Sequence, residues 1–200
     1  MQNLQQGKIY KNSFFAFLTG AVLIGILLGV VQFCCTDSSF LTGLGIAQEN
    51  FIAARKGMNF GQLLLNSLGG TTVFLFLAWL FGFSAVGQVP EIILLLVRGM
   101  GLGLTLSQLY SAYGKSGMLY SAGLILPSAI VSCVALIIGA REAIGFSNIY
   151  LKITLSGRQE NGLLGAARLY CTKFLVLEAM LAVSAGIDCF CTIMLINRQF

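Results

Sequence analysis

Five stretches of this chain, at about 13–33, 63–86, 91–112, 117–140 and 172–196, are long runs of mainly apolar sequence. A bilayer core about 30 Å thick is crossed by roughly 20 residues of helix. Backbone groups in lipid must be paired within the crossing segment, which a helix does by itself. The runs predict an all-α integral membrane protein with about five transmembrane helices. Of the 200 residues, 57% are hydrophobic and 10% charged, against roughly 25% charged in a soluble domain. The connections near 87–90 and 113–116 are very short, and those at 34–62 and 141–171 are longer. None leaves room for a soluble domain, so residues 1–200 are expected to form a single membrane domain.

The first run exceeds the apolar length of a secretory signal, and no small-x-small cleavage site follows it. It is read as a retained anchor. Lys and Arg in the loops set orientation. With five spans, Lys8, Lys11, Arg141, Lys152, Arg158, Arg168 and Lys173 share one side; Arg55, Lys56, Lys115 and Arg198 lie on the other. This bias predicts a cytoplasmic N-terminus and an external C-terminus. The net charge of +5 then serves contact with anionic membrane lipids. The basic residues are scattered and lack interleaved exposed aromatics, so nucleic acid is not an expected partner.

Both long connections carry amphipathic patterns. In 34–62, Ile46, Phe51, Ile52 and Ala54 fall loosely on one face. In 141–171, Ile144, Phe146, Ile149, Tyr150 and Ile153 recur at near-helical spacing before the breaker SGRQENG. One or two interfacial helices are therefore expected. Pro90 and Glu91 suit the start of the third span, where a missing N–H and a negative charge are both tolerated. Pro127 falls inside the predicted fourth span, where it would remove a backbone donor and kink the helix. Gly25 with Gly29 and Gly99 with Gly103 form GxxxG pairs, which allow close helix packing. A glycine-lined path for a small substrate is the alternative reading.

Three residues of charged types lie away from the ends of the spans: Arg98, Glu178 and Asp188. Arg98 sits about eight residues into the third and Glu178 about six into the fifth, both counted from the same side. A charge at mid-helix costs about 2.5–3.5 kcal/mol, so Arg98 either pairs with Glu178, the preferred partner, or snorkels to the headgroups while Glu178 faces the boundary unpaired. Such a pair would fix how the third and fifth spans dock. Asp188, deeper in the fifth span, is either a cation or proton site or a group hydrogen-bonded to a neighbouring helix.

The chain has no His, which removes His general bases and His metal ligands. Glu178 and Asp188 are ten residues apart, about 15 Å along a helix, so they do not form a catalytic carboxylate pair. YGKSG at 113–117 lacks the upstream glycine of a phosphate loop. No cofactor, metal or catalytic residue is expected, and the chain is read as a non-enzyme. Cys34 and Cys35 close the first span, while Cys189 and Cys191 approach the same side in the fifth. These external thiols are either bonded or small packing residues.

From Leu77 the sequence runs LAWLFGFSAVGQVPEIILLLVRGMGLGLTLSQLYSAYGKSGMLYSAGLILPSAIVSCVALIIG. Trp79 to Gly82, the Gly87–Pro90 turn, Arg98–Gly99, the glycine-rich helix, YGKSG, Leu126–Pro127 and the downstream FSNIYLKI resemble the stage II sporulation protein M family. The resemblance covers about two-thirds of the chain. The chain departs from the family at Arg98, where Lys is expected, and at Ser128–Ala129, where a polar or His-bearing pair is expected. The resemblance implies a non-enzymatic membrane scaffold of the sporulation engulfment machinery. Its partners would be the peptidoglycan-degrading stage II sporulation proteins D and P, or similar wall hydrolases, positioned at the septal membrane. The 34–62 loop is then the expected contact for wall-side partners. The competing class is a transport component for a small substrate or ion, with Pro127, the glycine-rich third span and Asp188 lining its site. A third reading is a homo-oligomer assembled on the GxxxG faces.

Overall fold

The computed structural model describes residues 2–35, 59–120, 123, 125–156 and 163–199, and the side chains of 14–35, 59–111, 114, 123, 125–153 and 165–194. All elements among the described residues are helical: α1 (Gln2–Cys35), α2 (Phe60–Gly82), α3 (Gln88–Tyr120), α4 (Leu126–Ser156) and α5 (Leu163–Gln199). Each contains a segment long and apolar enough to cross a membrane: Phe14–Cys35, Phe60–Gly82, Gln88–Ser111, Leu126–Ile153 and Gly165–Met194. Their outward faces are apolar. Leu27, Leu65, Leu175, Val183 and Phe190 are each at least 60% exposed. A soluble monomer rarely presents so large an apolar surface, whereas lipid accepts it. The chain is a multi-pass membrane protein.

Helices α2, α4 and α5 pack on one another, α3 packs on α4 and α2, and α1 lies mainly along α3. One buried apolar cluster joins all five through Leu18 and Val22 of α1, Leu75 and Ala78 of α2, Leu95 of α3, Ala135 to Ile137 of α4, and Phe174, Leu177 and Leu181 of α5. The α1–α3 contact is parallel and built on glycine. A Cβ on Gly25 would strike the Leu96 carbonyl, one on Gly29 the Met100 carbonyl, and one on Gly103 the Ile26 carbonyl. Both GxxxG pairs therefore lie in one interface, where backbone meets backbone.

The α2–α3 connection is a compact turn. Phe83 N–H donates to Leu80 O at 3.1 Å, Ser84 N–H to Phe81 O at 3.0 Å and Gly87 N–H to Ser84 O at 3.2 Å. Helix α4 holds it in place: Ser147 Oγ donates to Ser84 O at 2.7 Å, and Gln88 Nε2 to Asn148 Oδ1 at 2.5 Å. Pro90 is the third residue of α3, inside the first turn, where no helical hydrogen bond needs its nitrogen. Gly114 interrupts α3 with φ 55° and ψ −133°, a conformation that glycine adopts without a Cβ penalty.

Three expectations change. The fourth span begins at Leu126, nine residues after the expected 117, and extends to Ile153. Pro127 is accordingly the second residue of α4. It lies at the start of the span, directly after the π-helical Ile125, and not at the mid-span position where a kink is expected. The amphipathic stretch 144–153 is not a separate interfacial helix. It is the last part of α4, with Ile144 and Phe146 buried in the bundle and Ile149 and Tyr150 exposed. Burial of its apolar face against α5 keeps the helix going past the point where the polar residues suggested an end. The interfacial helix expected in 34–62 falls almost entirely outside the described residues.

Candidate functional site: a polar cavity among four helices

Between α2, α3, α4 and α5 lies a cavity of about 190 Å³. Each helix contributes one stripe at helical spacing: Asn66, Ser67, Gly70 and Thr71; Arg98, Leu102 and Thr105; Ser128, Ala129 and Ser132; Ser184, Ala185 and Asp188. Spacings of three, four or seven residues put each set on one helix face. The cavity occupies the half of the bundle where α2 and α4 begin. Because α4 and α5 run in opposite directions, Arg98 and Ser132 lie deepest. Ser128 and Ser184 lie one turn above them, and Asp188 one turn further.

Arg98 enters this space from the middle of its span. Its Nη2 donates to Ser132 Oγ at 3.3 Å, and its guanidinium carbon lies 5.8 Å from the centre of the Phe74 ring. Nε is buried and has no hydrogen-bond partner. The hydroxyl protons around it are used on backbone. Ser132 Oγ donates to Ala129 O at 3.0 Å, Ser128 Oγ to Ile125 O at 3.1 Å and Ser184 Oγ across the interface to Ser128 O at 2.7 Å. Thr71 Oγ1 donates to Leu68 O at 3.0 Å and Thr105 Oγ1 to Gly101 O at 2.9 Å. A hydroxyl that has given its proton keeps its lone pairs. The cavity thus combines one cationic donor, Arg98, and two neutral ones, the Asn66 amide and the Ser67 hydroxyl, with a set of oxygen acceptors. Asp188 is 3% exposed at its upper end.

The expected Arg98–Glu178 pair does not form. Glu178 points the other way and accepts a hydrogen bond from Thr72 Oγ1 at 2.6 Å. It sits in an apolar groove between α2 and α5, lined also by Phe76, Trp79, Phe174 and Leu175. The two residues were placed at similar depth, and Thr72 and Phe74 show that they are. They lie on different faces of α2, which sequence depth does not reveal. Cys189 is fully buried, Cys34 and Cys35 are exposed, and no disulfide forms among the described residues.

Two features escaped the reading of sequence. Ser67, Thr71, Ser132 and Ser184 are individually ordinary in membrane helices; the usable signal was their recurrence in one half of several spans. Glu91 was assigned to an open helix start. It is fully buried, and neither carboxylate oxygen has a partner.

At the opposite end, an aromatic group closes the bundle. The rings of Tyr170 and Phe146 stack at 4.6 Å, and Phe83 meets both edge-on at 5.4 and 5.3 Å. Tyr170 Oη donates to Trp79 O at 3.0 Å and lies over Gly82, where a side chain would collide with it. Comparison with protein-family models, with curated proteins and with solved structures finds no match for this chain.

Proposed function

We propose that this chain is a non-enzymatic membrane scaffold of the engulfment type, which positions wall-degrading partners at a septal membrane. The supporting observation is the structural use of the residues that carry the resemblance to stage II sporulation protein M. Gly82 seats Tyr170, Gly99 meets Gly25, and the Gly87–Pro90 turn is held by α4. A sequence pattern spent on helix packing fits a protein that works by holding a shape. In this reading the segment 36–58, external by the Lys and Arg bias, touches the wall-side partners.

Co-purification from the native host in mild detergent tests the proposal. Wild type should recover peptidoglycan hydrolases related to stage II sporulation proteins D and P. A variant with 36–58 replaced by a short Gly/Ser linker should lose them. Equal recovery with both variants removes the loop from the proposal, and recovery of no hydrolase removes the scaffold reading. The polar cavity favours a second reading, a transport component, which recovery of an ATPase subunit instead would support.

A further inference from the structure

The cavity around Arg98 has an unmet requirement. A buried guanidinium nitrogen without an acceptor loses its hydration and receives nothing in return. A guanidinium lining a cavity is matched best by the oxygens of a carboxylate. One turn above, Ser128 and Ser184 have given their protons to backbone carbonyls and can only accept. Asp188, a further turn up, adds carboxyl oxygens at that level. A bare inorganic anion would satisfy Arg98, with Asn66 and Ser67 as further donors, and give the Ser128 and Ser184 oxygens no donor. A cation alone would meet the acceptors and leave Arg98 unmatched.

We propose that the cavity binds a small zwitterion of the amino-acid class. Its carboxylate lies on the Arg98 guanidinium, and its ammonium faces the hydroxyl oxygens of Ser128 and Ser184 below Asp188. The rise between these levels, about 5.4 Å per helical turn, suits a carboxylate and an ammonium separated by one to three carbons. The volume of about 190 Å³ limits the ligand to a small side chain. The site rests on the cavity alone and is independent of whether the protein acts as a scaffold or as a carrier.

The test is binding of radiolabelled glycine, alanine, serine and γ-aminobutyrate to the full chain in lipid nanodiscs, with acetate, methylamine and inorganic phosphate as competitors. At least one amino acid should bind saturably, and acetate and methylamine should compete at least tenfold more weakly. Arg98→Gln should weaken binding tenfold or more. If that variant fails to fold, as judged by size-exclusion profile and helical content, Gly70→Leu keeps the test. Gly70 lines the cavity, and a Cβ there meets nothing within 4 Å, so leucine would fill the space without displacing backbone. Loss of binding in a folded Gly70→Leu protein supports the site. Absence of binding by all four amino acids overturns it, as does equal competition by acetate or phosphate, or undiminished binding by Gly70→Leu. Flux in proteoliposomes separates a bound ligand from a transported one.

Discussion

Gly25 and Gly99 meet across the α1–α3 interface so closely that a Cβ on either would lie 3.1 Å from the other's Cα. Each such Cβ would also overlap a backbone carbonyl, that of Leu96 or Val22. A carbonyl within a helix cannot swing aside as a side chain can. The contact leaves α1 a choice between glycine and separation from α3.

Gly25→Leu and Gly99→Leu should therefore displace α1. Overpacking by a few methylenes costs about 1–3 kcal/mol even where side chains can adjust, and here they cannot. Thermal unfolding in detergent should fall clearly for both. Gly20→Ala is the control, since nothing lies within 4 Å of its Cβ position. Helix propensity alone would raise stability at both positions, so a loss at Gly20 equal to that at Gly25 would show that the α1–α3 contact does not govern the effect.

Glu91 supplies a prediction of opposite sign. Its side chain is fully buried and both oxygens lack donors. Burial of an unpaired charge costs several kcal/mol, and a buried polar group without partners costs about 1–3 kcal/mol. Glu91→Met, similar in volume and without the oxygens, should raise the unfolding temperature. A marked decrease would mean that the carboxyl has a partner in the membrane, such as water or lipid.

The crossings were legible in the sequence because lipid imposes a length and a composition on every one of them. The GxxxG spacing likewise marked Gly25, Gly29, Gly99 and Gly103 directly. Which faces meet was not legible. Arg98 and Glu178 matched in depth yet turned to opposite sides of α2, because rotation about a helix axis is decided by packing with all neighbours at once. Pro127 misled for a related reason. A proline is neutral in a first turn and disruptive in mid-helix, so its meaning depended on a boundary that the continuous apolar run from 117 concealed. The cavity required four helices to be assembled before Ser132, Ser184 and Arg98 became neighbours.

Glu178 should couple to Thr72 and not to Arg98. The Thr72 hydroxyl donates to Glu178 Oε1 at 2.6 Å. Hydrogen bonds between membrane helices give roughly 0.6 kcal/mol on average and up to about 1.7 kcal/mol. A double-mutant cycle of Thr72→Val with Glu178→Gln should return a coupling in that range. The cycle of Arg98→Gln with Glu178→Gln should return none within error. Coupling in the second cycle comparable to the first would restore the abandoned ion pair.

The ion pair at the surface should matter little. Lys173 Nζ lies 2.5 Å from Glu142 Oε2, with side chains 44% and 26% exposed. Exposed pairs contribute about 0–1 kcal/mol and are screened by salt. Glu142→Gln should shift unfolding only slightly in low salt and not measurably in high salt. A large, salt-independent loss would place this pair in a low-dielectric environment and move the membrane boundary along α5.

Gly82 and Tyr170 should rescue one another. A Cβ on Gly82 would collide with the Tyr170 hydroxyl and lie 2.8 Å from Tyr170 Cζ. Gly82→Ala alone must then push the ring off Phe146, which holds α5 against α4, and break its hydrogen bond to Trp79 O, which holds α5 against α2. Tyr170→Phe alone loses that hydrogen bond and should cost about 1 kcal/mol. The double variant removes the atom that the new methyl group strikes, and the remaining ring carbon needs only a small shift. Its loss should therefore be smaller than the sum of the two single losses, by an amount read from unfolding of all four proteins under one condition. Simple additivity would mean that the ring moves away freely and that Tyr170 does not hold the end of α2.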